Sequence, residues 1–114
     1  MALPELVRLG IEKKLSKYSQ KKCPTHVSDL FKAGFRHRGN GVTLYEERLL
    51  LSDPGKWVEV AVAQFRFDTD TALWTLYWRD RNSRWHCYDD LEPSKSFDRL
   101  LKEVDDDPTG IFWG

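Results

Sequence analysis

The chain has 114 residues, of which 40% are hydrophobic, 13% aromatic and 32% charged; this length and globular composition indicate one ordered domain over residues 1–114. It contains no apolar run near the ~20 residues of a membrane span and no charged segment followed by an apolar one, as a signal peptide would have. A cytoplasmic location is therefore expected. The two cysteines are too few for a disulfide scaffold and are expected to be reduced thiols.

The first predicted element is a helix from about Pro4 to about Lys21. Proline followed by an acid in the first turn is typical of a helix start. A single apolar stripe recurs at helical spacing: Val7, Ile11, Leu15 and Tyr18. Cys23-Pro24 is expected to end the helix, because the residue before a proline avoids the helical conformation.

Five strands are predicted between the first helix and residue 88. They are the segments 33–38, 42–48, 57–67, 73–79 and 84–88. Gly39-Asn40-Gly41 separates the first two, and these residue types tolerate the positive φ angles of a tight hairpin turn. Asp53-Pro54-Gly55 predicts an exposed loop, and residues 80–83 predict the turn of a second hairpin.

A second helix is predicted after Pro93. Its apolar residues recur at the clearest helical spacing in the chain: Phe97, Leu100, Leu101 and Val104. The element order α-β-β-β-β-β-α, with short links between strands, predicts an α+β fold. We expect a five-stranded antiparallel meander sheet with an N-terminal and a C-terminal helix, one or both of which cover its apolar face.

Four blocks of sequence resemble the recurring blocks of a known family. They are VTLYEER at 42–48, VAQFRFD at 62–68, WTLYWRDRNSRWHCY at 74–88 and DPTGIFWG at 107–114. On these blocks the chain resembles a family of small bacterial proteins described only as a domain of unknown function. The resemblance implies a single bacterial domain, and it implies no catalytic residue, ligand or partner.

Residues 72–88, the tryptophan-rich stretch, contain three of the five tryptophans. Strand alternation divides the side chains of this stretch between two faces of the sheet. The residues expected in the core are Trp74, Leu76, Trp78, Trp85 and Cys87. Those expected on the opposite face are Thr75, Tyr77, Arg79, Arg84, His86 and Tyr88, with Gln64 and Arg66 from the neighbouring strand and, if the register allows, Arg36, Arg38 and Tyr45.

Arginines interleaved with aromatic rings predict a binding face for single-stranded nucleic acid. Guanidinium groups attract phosphates, and each base stacked on a ring contributes ~1–3 kcal/mol. The predicted binding residues are Arg66, Tyr77, Arg79, Arg81, Arg84, His86 and Tyr88. The alternatives are an ordinary solvent face of good strand formers, or a face that one helix covers, with the tyrosines in the core.

The same side chains allow an enzymatic alternative. His86 with Tyr77, Tyr88 and the arginines resembles the equipment of a metal-independent ribonuclease, in which acid–base groups lie beside cations that stabilise a charged phosphorane. Strand alternation alone does not supply the required geometry. No catalytic residue is therefore assigned, and a non-enzymatic binding module is preferred.

No metal or cofactor site is predicted. Cys23 and His26 lack a second matching pair, and the adjacent strand residues His86 and Cys87 point to opposite faces, so the latter two cannot easily share a tetrahedral zinc. The carboxylates at 105–107 diverge around a helix end, and the sequence has no glycine-containing calcium loop.

The net charge is zero but unevenly distributed. Residues 1–40 carry nine Lys/Arg against three Asp/Glu, while residues 89–114 carry three against eight. This pattern predicts either a basic segment that faces nucleic acid or, more simply, terminal segments that lie side by side and neutralise each other.

The apolar end of the chain, Ile111-Phe112-Trp113, lies where chains normally fray. It is expected to dock against the core, because an exposed Phe-Trp pair invites aggregation. The alternative is that it contacts a partner or a second copy. The expected partner is thus a single-stranded nucleic acid or, through this terminus, another protein; no membrane contact is expected, and the sequence does not define the oligomeric state.

Overall fold

The structure, a computed structural model, describes residues 3–22, 31–50, 52 and 55–113. In chain order its elements are helix α1 (Glu5–Lys22), strands β1 (Phe31–Arg38), β2 (Gly41–Leu49), β3 (Trp57–Asp68), β4 (Leu73–Arg79) and β5 (Trp85–Cys87), and helix α2 (Phe97–Asp106). The predicted α+β fold is confirmed. The predicted helix end at Cys23-Pro24 and the turn at Asp53-Pro54 lie outside the described residues. Neither described helix has the length and apolarity that crossing a membrane requires.

The five strands form one antiparallel sheet in the order β1-β2-β3-β4-β5. Neighbours in the sheet are also consecutive in the chain, so the sheet is the predicted meander. Gly39 has a φ of 59°, a left-handed conformation that glycine adopts without steric cost, and this lets β1 reverse into β2 through a short turn.

Both helices pack on the same face of the sheet. Leu15 of α1 and Leu100 of α2 are completely buried. The ring of Phe97 in α2 lies 4.8 Å from that of Phe65 and 5.0 Å from that of Trp74. Burial of each such side chain contributes about 1.5–3 kcal/mol. We call this side of the sheet the helix-covered face, and the opposite side the open face.

At the β1 edge of the sheet, α1 also packs on the helix-covered face, where it contacts the β1–β2 hairpin. His37 of β1 lies on the helix-covered face, and its Nε2 is 3.0 Å from Glu12 Oε1 of α1, within ion-pair distance although not aligned for a hydrogen bond. Thus α1 spans the β1 side and α2 spans the β4 side of one two-layer molecule.

Strand β3 contains a bulge. Leu44 of β2 pairs with Ala63, but Tyr45 pairs with Ala61, so Val62 is an extra residue. A bulge of one residue reverses the alternation of side chains along the strand. As a result, Val58 and Val60 lie on the helix-covered side, where they remain 36% and 45% exposed.

The two helices carry opposite charges and lie side by side. Lys14 Nζ of α1 is 2.9 Å from Asp98 Oδ2 of α2, and Lys22 Nζ is 3.8 Å from Asp105 Oδ1. The hydroxyl of Tyr18 also donates to Asp105 at 3.2 Å. The interpretation that the basic and acidic terminal segments neutralise each other is therefore confirmed.

The C-terminal segment docks against the core, as predicted. Phe112 is 8% exposed, and its ring lies 5.1 Å from that of Tyr88. The backbone N–H of Trp113 donates to Asp107 Oδ2 at 2.8 Å, and its indole N–H donates to the Tyr18 hydroxyl at 3.2 Å. The alternative in which this terminus reaches a partner would require these contacts to break.

Candidate functional site

The open face is a continuous surface that no described helix covers. Directly paired residues of neighbouring strands share a face. The pairs Arg36↔Thr43, Thr43↔Gln64, Gln64↔Tyr77 and Tyr77↔Cys87 therefore place one row of side chains across all five strands on this side.

The open face carries both aromatic and basic side chains. The strand residues of these two kinds on it are Tyr45, Trp57, Tyr77 and Trp85, with Lys32, Arg36, Arg38, Arg66 and Arg79. Its acidic strand residues are Glu47, Glu59 and Asp68. The face thus combines flat rings with a small excess of positive charge, which are the two features that single-stranded nucleic acids require.

The rings and cations of the open face are stacked on each other. The Arg66 guanidinium lies 3.8 Å from the centroid of the Tyr77 ring. Its Nε donates to Gln64 Oε1 at 2.6 Å, and Gln64 Nε2 donates in turn to Thr43 Oγ1 at 3.1 Å. These two hydrogen bonds, which link β3 to β2, fix the guanidinium plane over the Tyr77 ring of β4 before any ligand arrives.

A similar stack lies on the first hairpin, but its charge is already neutralised. The Arg36 guanidinium is 5.1 Å from the Tyr45 ring, and Gly34, which has no side chain, leaves room for that ring. Arg36 also lies 3.0 Å from the carboxylate of Glu59. The hydrogen bond that Arg36 donates to this carboxylate raises the pKa of Arg36 above its usual value. The charge of Arg36 is therefore offset, whereas Lys32 and Arg38 on the same hairpin have no ion-pair partner among the described residues.

Two cations on the β3–β4–β5 side of the open face also carry free charge. Within the described residues Arg66 and Arg79 have no ion-pair partner. Arg79 pairs across the hairpin with Trp85, which is half-buried on the same face. We call Arg66, Tyr77, Arg79 and Trp85 the Arg–aromatic patch.

The β4–β5 turn borders this patch and is organised by one carboxylate. Asp80 Oδ1 accepts hydrogen bonds from the backbone N–H groups of Asn82 at 2.8 Å and Arg84 at 3.0 Å. Asp80 Oδ2 lies 2.6 Å from His86 Nε2. The hydrogen bond from His86, with the two from the backbone, lowers the pKa of Asp80. The turn also presents the exposed side chains of Arg81 and Arg84.

The predicted faces of β5 are wrong because the turn is one residue longer than predicted. A turn over residues 80–83 would pair Arg79 with Arg84, but Arg79 pairs with Trp85. A register change of one residue moves every side chain of a strand to the other face. Trp85 and Cys87, predicted for the core, therefore lie on the open face.

Tyr88, a predicted binding residue, is a core residue instead. It is 3% exposed, and its hydroxyl donates to Glu103 Oε2 of α2 at 2.8 Å. Burial and this hydrogen bond raise the pKa of Tyr88 to about 12. The alternative of a tyrosine covered by a helix holds for Tyr88 but not for Tyr77.

His86, also predicted for the binding face, lies on the other side of the sheet. Its ring stacks on that of Trp78, with a centroid separation of 4.7 Å and an interplanar angle of 27°. The grouping of His86, Tyr77 and Tyr88 that would suit a ribonuclease is therefore not brought together. Cys87, predicted to be a small buried side chain, is exposed.

Three of the predicted binding residues lie together on the open face, namely Arg66, Tyr77 and Arg79. Arg81 and Arg84 lie in the adjoining turn. Sequence reasoning missed Trp85 as a surface ring. The available signal was Asp80, because an aspartate at the start of a turn accepts hydrogen bonds from backbone N–H groups further along and supports a longer turn.

The described ranges contain no cluster of three or more histidine, cysteine or acidic residues placed to hold a metal ion. The three consecutive carboxylates at the end of α2 diverge and have separate partners: Asp105 meets Tyr18, Asp106 meets Lys102 at 2.7 Å, and Asp107 accepts from the chain terminus. Cys23 and His26 lie outside the described residues.

The fold and its surface define a small two-layer α+β protein with one sheet face packed by helices and the other exposing arginines and aromatic rings. The family described as "Domain of unknown function (DUF3024)" matches residues 3–114, and the chain belongs to this family. The resemblance noted in the sequence is thereby confirmed as membership of an uncharacterised domain family. No curated protein and no solved structure matches the chain.

Proposed function

We propose that the open face binds single-stranded nucleic acid without cleaving it, and that the Arg–aromatic patch is the centre of the interface. The observation that carries the proposal is the stack of Arg66 on Tyr77 at 3.8 Å, beside Arg79 and Trp85 on a surface free of described helices. Guanidinium planes and aromatic rings both stack with unpaired bases, whatever the sequence.

Each part of the patch has a distinct role in this proposal. The fixed guanidinium of Arg66 and the ring of Trp85 offer flat surfaces to two bases. Arg79 contacts the phosphates, and Arg81 and Arg84 of the adjoining turn extend that contact along the strand. Since Arg66 is already held by Gln64, little side-chain entropy is lost on binding.

The positions of the histidines support binding rather than cleavage. Both described histidines lie on the helix-covered face, His37 against Glu12 and His86 against Trp78. A general acid or base must come within hydrogen-bonding distance of the proton that it transfers. A strand bound on the open face would lie on the opposite side of the sheet from both imidazoles.

The test is an anisotropy titration of a labelled single-stranded oligouridine at two salt concentrations. Three arginine–phosphate contacts predict a slope of about −2 for log K against log salt, because each phosphate contact on a single strand contributes about −0.7. Tyr77→Ala removes the ring that supports the Arg66 guanidinium and with it the stacking of one base, so it is expected to weaken binding on the order of tenfold.

Two variants that each remove one positive charge test whether the nucleic acid binds the open face specifically or is attracted by the overall charge of the protein. Arg79→Gln removes a cation from the open face, and Arg99→Gln removes an exposed one from α2. The proposal requires a clear loss of affinity in the first and almost none in the second. Equal losses in both, or no binding by the intact protein at the lower salt concentration, would overturn it.

A further inference from the structure

Part of strand β3 has a free backbone edge. β3 pairs with β2 from Trp57 to Arg66, but it pairs with β4 only from Gln64 to Asp68. Among the described residues, no backbone hydrogen bond outside the β2 pairing involves residues 57–61. Alternate residues of a strand direct their N–H and C=O groups to opposite edges, so this stretch presents unpaired donors and acceptors.

The free edge borders a cleft rather than open solvent. The pairing of β3 with β4 covers Gln64 to Asp68 and does not reach the bulge at Val62, and β4 continues through Trp78 and Arg79 paired only with β5. Between them is a cleft of about 320 Å³, lined on one side by Val60 and Ala61 and on the other by the β4–β5 turn. An additional strand would lie in this cleft.

Two arginines and two acids line the cleft, and among the described residues only the side chains of the arginines lack an ion-pair or hydrogen-bond partner. Arg79 and Arg81 line it and have no ion-pair partner within the described ranges. Its two acids are already engaged, Glu59 with Arg36 at 3.0 Å and Asp80 with His86 at 2.6 Å. The cleft therefore complements carboxylates on the side of the arginines.

The other side of the edge is apolar. Val58 and Val60 lie on the helix-covered side, where no described side chain covers them fully, and they are 36% and 45% exposed. Edge strands are usually protected against pairing by charges or proline. Here an apolar row and a cationic row lie on either side of one unpaired backbone.

We propose that the 57–61 edge of β3 accepts an extended peptide of a partner protein as an added strand, in which acidic and apolar residues alternate. Its main chain pairs with β3, its apolar side chains pack on Val58 and Val60, and its carboxylates meet Arg79 and Arg81. This is a β-augmentation site, in which main-chain hydrogen bonds give affinity and alternate side chains give specificity. The site shares Arg79 with the Arg–aromatic patch and Arg81 with the proposed phosphate contacts, but its backbone edge and Val58 and Val60 lie outside that interface.

The charge distribution favours a partner peptide over a second copy of the chain. A symmetric antiparallel pairing of this stretch with its own copy centres on Glu59 and places two carboxylates opposite each other. Like charges in directly opposed strand positions are destabilising. An acidic peptide also places a carboxylate opposite Glu59, whose charge Arg36 offsets, but it alone brings further carboxylates to Arg79 and Arg81.

The test uses the whole chain and a capped peptide of alternating valine and aspartate, about six residues long, the usual length of a strand. We expect saturable binding of this peptide in a calorimetric titration. The control is a peptide of the same composition with the valines and the aspartates in two separate blocks, and it should not bind. Equal binding of both peptides, or of neither, would overturn the proposal.

Backbone pairing itself is tested with two N-methylated versions of the alternating peptide. One version is methylated at its odd residues and the other at its even residues, so each loses the donors of one edge. A peptide that adds as a strand uses one edge only. One version should therefore lose binding and the other retain it, and similar behaviour of the two would contradict strand addition.

A protein variant separates this site from the proposed function. Val60→Asp removes an apolar contact at an exposed position of the edge and places a carboxylate against the valines of the peptide. It is expected to weaken peptide binding about fivefold or more, while leaving oligouridine affinity unchanged. Tyr77→Ala should do the reverse. If Val60→Asp lost affinity for both the peptide and oligouridine, the two sites would not be distinct. If the intact protein dimerised with increasing concentration and Val60→Asp abolished this, the edge would pair with a second copy of the chain instead.

Discussion

The two faces of the sheet are formed by alternate residues of the same strands, and they are held in different ways. Phe65 and Leu76 on the helix-covered face are 0% and 1% exposed, whereas their neighbours Arg66 and Tyr77 on the open face are only partly buried and stack on each other. The first face owes its order to burial, and the second to hydrogen bonds and cation–π contacts. Stability and binding can therefore be altered separately.

The largest expected effect is the difference in stability between a variant of the helix-covered face and a variant of the open face. Phe97→Ala removes a ring that packs on Phe65 and Trp74 and should lower the free energy of unfolding by about 3–5 kcal/mol. Tyr77→Ala on the open face removes mainly the contact with Arg66 and should cost about 1 kcal/mol or less. Urea unfolding of both variants measures the difference, and equal losses would contradict a core confined to one face.

The two tyrosines of the tryptophan-rich stretch give the next largest effect. Tyr88→Phe removes a hydroxyl that donates to Glu103 beneath α2 and should cost about 1–2 kcal/mol. Tyr77→Phe keeps the ring under Arg66 and should leave stability nearly unchanged. Urea unfolding of the two variants measures the difference. A larger loss of stability in Tyr77→Phe than in Tyr88→Phe would contradict the assigned faces.

Alkaline pH tests the burial of Tyr88 independently. Its pKa is raised to about 12 in the folded protein, so folding favours the neutral phenol. The stabilisation is complete below the unfolded pKa of about 10 and is lost as pH rises toward the folded value. Tyr88→Phe should therefore weaken the fall in stability above pH 10, and an identical pH dependence in variant and wild type would exclude this cause.

A smaller effect is expected at the β4–β5 turn, which determines the face on which Trp85 lies. The pKa of Asp80 is lowered, so its contribution is present above the unfolded pKa of about 4 and is lost as pH falls through the folded value. Asp80→Asn should speed hydrogen exchange at the amides of Asn82 and Arg84. It should also weaken oligouridine binding, although removing an acid beside phosphates would otherwise strengthen it. Stronger binding would contradict the positioning role.

The smallest expected effect lies between the helices. Lys14 and Asp98 are 2.9 Å apart, but their side chains are 44% and 66% exposed. Exposed ion pairs contribute about 0–1 kcal/mol. A double-mutant cycle with Lys14→Gln and Asp98→Asn should give a coupling energy of about 0.5 kcal/mol or less, and a much larger value would mean that charge, rather than burial, joins α1 to α2.

The sequence predicted the elements and most of the open face because both depend on periodicity. Apolar spacing identified α1, α2 and four strands closely, and alternation placed Arg66, Tyr77 and Arg79 on one side. These inferences hold because each residue's face follows from its neighbour's. They fail where a residue is inserted or a turn lengthens.

Two such places separate the predicted site from the observed one. The β4–β5 turn is one residue longer than predicted. The hydrogen bonds of Asp80 and the positive φ of Ser83 stabilise this longer turn, and the hydrophobic pattern does not reveal it. In β3, the apolar positions change from even numbers at Val60 and Val62 to odd numbers at Phe65 and Phe67. That change of phase marks the bulge, and with it the free edge of β3.

The central claim is that ligand binds the open face, and amide chemical-shift mapping with unlabelled oligouridine tests it most directly. The account predicts shifts at Gln64, Arg66, Tyr77, Arg79 and Trp85, with the amides of α1 and α2 unchanged. Saturable shifts confined to the lysine-rich α1, or no shifts on the sheet at concentrations that saturate binding, would contradict it.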